Sequence, residues 1–341
     1  MSKRFFLAVL SLLILAFIRI GTVQAASEIL ALTLPQLDWA MKIKASGFAM
    51  EQRRTNPGGE SGYFMAGNKK TGFIISGHIE KVGRNGTPKE AREHFWANLV
   101  KAPVKRGEVT MAESGNLATV EYMVRDFQGM LINQKNLYAF MTRDHYWMYL
   151  HLSKMNFHQA DESFLRSILE NVSIETKNPS GKIETTYRLS GKDHYFTLYV
   201  PEAWTDEIKR PKGDLPPTLE FHPGGVPASA VHITPVWSPQ EDPSFNSPER
   251  IRKLVEEAGK ALLAEALEKE LAIREIKGKS VSGLYFGLTD KKPDLPTGEF
   301  KYMIQGACAV GDLLVTFTIF TQSQDSDVIK TALEMIADAG L

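Results

Sequence analysis

The sequence predicts an α+β protein built from two tandem repeats of a layered sandwich, each a mainly antiparallel sheet with packed helices. Three observations predict this fold class. Apolar and polar residues alternate in many short segments, which is typical of half-buried strands. Helical spacing of apolar residues is confined to a few longer segments. The order of these segments in residues 27–175 recurs in residues 183–341, so we expect one folding unit used twice.

The amino-terminal segment predicts a signal peptide over residues 1–25. Basic residues precede an apolar run at residues 5–18, and residues 23–25 are small or apolar where a signal peptidase would cut. We therefore expect an exported protein, periplasmic or extracellular. The alternative is an uncleaved anchor, because residues 5–26 are long enough to cross a bilayer. Membrane contact is expected only in that case.

The first sandwich domain is expected over residues 27–175. Its long helix should begin at Thr87, because Thr87-Pro88-Lys89-Glu90 is a capping box with proline at the first helical position. Alternating strand patterns follow the helix, and helical spacing returns near Phe164. The domain is therefore predicted as two or three strands, a helix, a meander of about three strands and a closing helix.

A linker is expected at residues 176–182, where Asn178-Pro179-Ser180-Gly181 interrupts the apolar periodicity. The second sandwich domain follows at residues 183–341. Its long helix should begin at Ser247-Pro248, which repeats the cap and the proline of the first domain. Most of the prolines lie between residues 201 and 300, so this domain is predicted to carry long loops that proline stiffens.

The register of the repeat follows from a shift of 164 residues, which lays strand patterns on strand patterns and helical patterns on helical patterns. The shift places Val120, Tyr122 and Val124 on Leu284, Phe286 and Leu288, and it places Phe164, Leu165 and Leu169 on Val328, Ile329 and Leu333.

A strand that runs into Pro201-Glu202-Ala203-Trp204, followed by loops, a long helix, a strand meander and a final helix, resembles the PsbP-like and DcrB-like exported sandwich domains. The first half resembles them only through the repeat, because Ala45-Ser46-Gly47-Phe48 lacks the proline and tryptophan. The resemblance implies binding or assembly rather than catalysis, and it transfers no site residue.

The composition excludes several classes of function. The chain has 341 residues, 40 basic and 40 acidic side chains, and one cysteine. Balanced charge provides no basic face for a nucleic acid, so we expect no such partner. Cys308 cannot form an internal disulfide or a thiolate metal cage and is predicted to be a small buried residue.

The search for chemistry finds no catalytic constellation, and we expect no catalytic, cofactor-binding or metal-binding residue and no cofactor. His78 and Glu80 share a strand face and could touch a metal, but a cross-strand or solvated pair explains them more simply. His94 follows Glu90 by four residues on a helix, which predicts a surface pair. The alternative to a binding module is a hydrolase with its active site at the interface of the two domains.

An interaction surface is predicted instead. If Tyr146 and Met148 face the helices, the intervening residues of that strand face the other way, and tryptophan and tyrosine are favoured interface anchors. The alternative is that another element or the partner domain covers this face. Aromatic residues beside the proline-rich loops are further candidates. The predicted interaction residues are His145, Trp147, Tyr149, His151, Phe221 and Trp237.

The sequence therefore predicts a non-catalytic exported binding or assembly module. Its expected partner is a protein or a small ligand outside the cytoplasm.

Overall fold

A computed structural model describes residues 27–189, 194–213, 215–223, 229–238, 240 and 242–341. The predicted signal peptide, residues 1–25, lies outside the described residues. The strands before the predicted linker are β1 (Ser27–Leu32), β2 (Trp39–Thr55), β3 (Ser61–Gly67), β4 (Phe73–Lys81), β5 (Thr110–Ser114), β6 (Leu117–Phe127), β7 (Met130–Arg143), β8 (Tyr146–Lys154) and β9 (Val172–Thr176). The later strands are β10 (Lys182–Arg188), β11 (Tyr195–Pro201), β12 (Thr205–Lys209), β13 (Thr218–His222), β14 (Ala230–Val236), β15 (Ile273–Lys277), β16 (Val281–Thr289), β17 (Tyr302–Val310) and β18 (Leu313–Thr321). The α-helices are α1 (Pro88–Leu99), α2 (Glu162–Glu170), α3 (Pro248–Leu263) and α4 (Asp327–Ala337).

The strands form two sheets. The first has the order β11-β10-β2-β3-β4-β8-β7-β6-β5, with β1 and β9 also paired to β2, and the second has the order β12-β13-β14-β18-β17-β16-β15. Neighbouring strands are antiparallel except for β10 and β2, which meet in parallel at Tyr187 and Met50. Strands that follow the predicted linker therefore extend the first sheet.

The same strand order occurs in both halves of the chain. β2-β3-β4-β8-β7-β6-β5 corresponds to β12-β13-β14-β18-β17-β16-β15. One helix follows the third strand of each set, as α1 and α3, and another follows the last strand, as α2 and α4. The helices of the two sets therefore hold corresponding positions along the chain.

The predicted fold class, an α+β protein made of two helix-packed layered sandwiches, is wrong, because sheet dominates the molecule. Strands account for 49% of the described residues and helices for 17%, and the two sheets contain 11 and 7 strands. The helices are short, whereas β2 alone runs for 17 residues. Alternation along one segment reveals a strand but not its distant partner. The size of the first sheet, which includes the β10–β2 pairing, could not be read from the sequence for this reason.

Three hydrophobic clusters form the core. The largest lies on one face of both sheets and includes Leu165 and Ile168 of α2 and Met335 and Ile336 of α4. α1 packs on the other face of β6, β7 and β8, and α3 packs on the other face of β16 and β17. The two halves share the largest cluster, so apolar burial joins them.

Charged pairs also join the halves along β2. Lys42 lies 2.9 Å from Glu202, and Arg188 lies 2.8 Å from Glu51. Arg53 pairs with Asp206. Tyr187 donates a 2.7 Å hydrogen bond to the same carboxylate. Because Asp206 is buried and the side chain of Arg53 is only 13% exposed, this pair depends on each partner being present.

The predicted helix starts are confirmed. Thr87 caps α1 in a complete capping box with Glu90, and Ser247 caps α3 by accepting a hydrogen bond from the amide of Arg250. None of the helices in the described part of the chain is long and apolar enough to cross a membrane.

Candidate functional site

A group of polar side chains lies on one face of β12, β13 and β14. We call it the polar face and define it as Glu207, Lys209, Glu220, His222 and His232. Glu207 pairs with Glu220 across β12 and β13, and Glu220 pairs with His232 across β13 and β14. Residues two apart on a strand point to the same side of the sheet, so His222 joins Glu220 there. The backbone pairing thus brings two carboxylates and two imidazoles together.

Three of these side chains are close enough to bind one ion. The ligand atoms of Glu207, Glu220 and His222 lie within 4.8 Å of one another. In a tetrahedral zinc site, bonds of about 2.0–2.2 Å place neighbouring ligand atoms roughly 3.3 Å apart. Small side-chain rotations on a fixed sheet would therefore complete the site.

Lys209 occupies the space between the two carboxylates. Its ammonium pairs with Glu207 and lies 3.8 Å from Glu220. The hydrogen bond to Glu207 raises the pKa of Lys209. The lysine side chain is 53% exposed, so it can swing into solvent without leaving a cavity. A divalent cation would take the place of this ammonium.

The carboxylate of Glu207 is held from the other half of the molecule. The backbone amide of Thr55 on β2 donates a 3.1 Å hydrogen bond to Glu207 Oε1. Glu207 is buried, and this bond fixes one of its oxygens while the other faces Lys209. Outer hydrogen bonds of this kind orient metal ligands.

His232 extends the polar face toward the middle of the sheet. Its ring packs edge-on against Phe320 at 5.5 Å. Burial lowers the pKa of His232, and with the smaller contributions of His222 and Lys209 it outweighs the opposing effect of the Glu220 carboxylate. The ring is therefore neutral at physiological pH, the form in which imidazole binds a metal.

The predicted interaction strand β8 is largely covered. Trp147 is 1% exposed and packs with Phe95 of α1, and Tyr149 is half-buried against the same cluster. His145 is exposed in the turn before the strand. His151 stacks on Tyr138 at 4.1 Å. The alternative arrangement, in which another element covers this face, is the one found.

His151 is also isolated electrostatically. Burial lowers the pKa of its ring to about 4, and its Nε2 lies 3.0 Å from the side-chain oxygen of Asn136.

The two candidates beside the proline-rich loops are also packed. Phe221 is fully buried in the largest cluster. Trp237 is half-buried and stacks on His194 at 5.3 Å. Parts of the loops, residues 214, 224–228, 239 and 241, lie outside the described residues.

Glu80 bridges two histidines in the first half. Its carboxylate lies 3.1 Å from Nε2 of His78 and 2.6 Å from Nε2 of His94. These hydrogen bonds lower the pKa of Glu80, and the bond to His78 has the larger effect. The predicted pair of His94 with Glu90 is wrong, because Glu90 instead completes the helix cap and binds Arg84 at 2.9 Å.

The interface of the halves contains a small cavity beside Arg53 and Asp206. Its volume is about 40 Å³, which is enough for roughly one water molecule. Three of the charged residues that line it, Arg53, Glu202 and Asp206, also form pairs that join the halves.

The sequence contains a signal for the polar face that was not recognised. Glu220 and His222 have the same two-residue spacing as His78 and Glu80, and Glu207 and Lys209 repeat it one strand earlier. The pairing of these segments could not be derived, because a proline-rich stretch separates them and either could have paired elsewhere.

The chain matches no protein-family model and is not significantly similar to any curated protein. The resemblance to PsbP-like and DcrB-like domains therefore stays a prediction.

Proposed function

We propose that the protein is a non-catalytic exported binding module, and that its polar face takes up a divalent transition-metal cation, with Zn²⁺ as the best fit. The observation that carries the proposal is the approach of Glu207, Glu220 and His222 to within 4.8 Å through their ligand atoms. Export is part of the proposal and rests on the sequence of residues 1–25.

The ligand set favours a transition metal over Ca²⁺ or Mg²⁺. Those hard cations prefer sites made only of oxygen atoms, whereas imidazole suits zinc and its neighbours. Three protein ligands leave one position of a tetrahedral ion open. That position suits either His232 or a carboxylate or imidazole of a partner.

Lys209 supplies a competitor for the metal. A cation must displace its ammonium from Glu207 and Glu220, so the binding free energy contains the cost of breaking two ion pairs. Lys209 is half exposed, so its ammonium regains water when it leaves, and the bound cation replaces its charge beside the buried Glu207. The competition therefore moderates affinity and does not prevent binding.

A zinc titration tests the proposal, with affinity measured against a chromogenic chelator at pH 7.5. We expect His222→Ala and Glu220→Gln each to lower zinc affinity by at least about tenfold. His145→Ala, which removes an exposed histidine from the first half, is the matched control and should leave affinity unchanged.

The variant Lys209→Met distinguishes zinc binding at the polar face from nonspecific zinc binding. It keeps the apolar stem and removes the ammonium, so zinc affinity should rise. The proposal fails if Lys209→Met and His222→Ala both bind zinc as the native protein does.

A further inference from the structure

The β6–β7 hairpin ends in an exposed apolar tip, which we define as Phe127, Met130 and Leu131. Phe127 pairs directly with Met130, so Gln128 and Gly129 form a two-residue turn. Both turn residues have positive φ, 51° and 81°, which matches the type I′ turn of tight hairpins. The turn holds the tip in one shape.

The tip residues are unusual in their exposure. Met130 is 61% exposed and Leu131 is 74% exposed, whereas Ile132, one residue further along, is buried. Met155 is also largely exposed, and its loop is held beside the hairpin by a 2.8 Å hydrogen bond from the amide of Asn156 to the carbonyl of Ile132. Single exposed apolar residues are ordinary, but a protruding group of them marks an interaction site.

The tip projects beyond the end of the first sheet. Strand pairing aligns Gly67 with Ile74, Ile74 with Ser153 and Ser153 with Asn136. Met130 lies six residues beyond Asn136 along β7, roughly 20 Å at about 3.3 Å per residue. The segment after β8 flanks β7 only as far as Ile132, so Met130 and Leu131 extend past this last neighbour. The tip is therefore a protrusion, a shape that can insert into a deformable surface but cannot enclose a ligand as a pocket does.

The chain enters the described fold at this same end. Ser27 of β1 pairs with Phe48, and the ring of Phe48 stacks on Phe164, which in turn packs against Phe73 at the start of β4.

At the opposite end of the sheet, Gln36 donates hydrogen bonds to the Gly59 carbonyl and to the Tyr146 hydroxyl. β1 thus runs away from the tip. The chain that precedes it, with its apolar run at residues 5–18, joins at the end that carries the tip.

We propose that this end of the protein docks on the surface of a lipid bilayer, with Phe127, Met130 and Leu131 entering the headgroup region. Two observations support it: the protruding apolar tip, and the position of Ser27, where the apolar run at residues 5–18 joins the fold at the same end in the chain that keeps this segment as its anchor. Arg125 and Asp126 beside the tip are both exposed and carry opposite charges. The attraction is therefore apolar, and it should depend weakly on salt. The inference does not rest on the metal site.

Site-directed fluorescence tests the docking on the full chain. Leu131→Cys provides a labelling position, because the native Cys308 is fully buried and should not react. Leu267→Cys is the matched control, since Leu267 is 55% exposed in the second half. Both variants carry an environment-sensitive fluorophore and are mixed with phosphatidylcholine vesicles.

The label at residue 131 should shift to shorter emission wavelength, lose most of its quenching by iodide and gain quenching by a lipid-attached quencher. The label at residue 267 should change in none of these. Equal iodide access at both positions would overturn the proposal. Protection of residue 131 by a cell extract but not by vesicles would also overturn it, in favour of a protein partner.

Discussion

The buried pair between Arg53 and Asp206 offers a sharp test of how the two halves are joined. Asp206→Asn keeps the size of the side chain and removes its charge. The side chains of Arg53 and Asp206 are only 13% and 4% exposed, so the guanidinium would be left buried without its counter-ion. Its other described partner is the carbonyl of Ala31.

The expected loss follows from these contacts. Breaking a buried ion pair from one side costs about 3–5 kcal/mol. Tyr187 can still donate its hydrogen bond to the asparagine oxygen, so the lower end, about 3 kcal/mol, applies. With a urea dependence of about 1–3 kcal/mol per molar, the unfolding midpoint should fall by about 1–3 M.

Urea unfolding followed by tryptophan fluorescence measures this change. Asp144→Asn is the control, because Asp144 is 70% exposed and its loss should change stability by no more than about 0.5 kcal/mol. The double variant Arg53→Met/Asp206→Asn should lose less than the sum of the single variants. A loss below about 1 kcal/mol in Asp206→Asn would refute this account of the junction.

Two further predictions concern single side chains. Burial raises the pKa of the Cys308 thiol to about 12. A disulfide reagent at pH 8 should therefore modify this thiol no faster than the protein unfolds. Rapid modification without unfolding would contradict this expectation. Burial raises the pKa of Glu121, but the hydrogen bonds and positive charges of Arg166 and Lys135 together lower it below its ordinary value of 4.5. The unfolded state therefore binds the proton more tightly, so the stabilisation is present above pH 4.5 and lost as the pH falls further. Glu121→Gln should flatten the acid side of a stability–pH profile measured by thermal unfolding, and an unchanged profile would contradict the assignment.

Local signals in the sequence predicted local structure well. Thr87 and Ser247 marked the starts of α1 and α3, because a capping side chain and a following proline act within one helical turn. Alternation also placed Tyr146 and Met148 on the face that packs with α2 in the largest cluster. These features depend on residues close together in the chain.

Features that depend on distant segments were not predicted. Trp147 has the pattern of an exposed anchor, but α1 covers it, and no periodicity in β8 reports where a helix will dock. The polar face needs β12, β13 and β14 side by side, and its charged residues read singly as solvated surface. The predicted proportion of sheet to helix was wrong for the same reason, because pairing between distant segments decides how many strands one sheet contains.

The set of ligands around a bound metal is the most direct test of the metal site. X-ray absorption at the zinc edge, recorded on protein loaded with one equivalent of Zn²⁺, reports the number and type of ligands. The account predicts four nitrogen or oxygen ligands at about 2.0–2.2 Å, including at least one imidazole that is lost in His222→Ala. An unchanged spectrum in His222→Ala, or six oxygen ligands without imidazole, would contradict it.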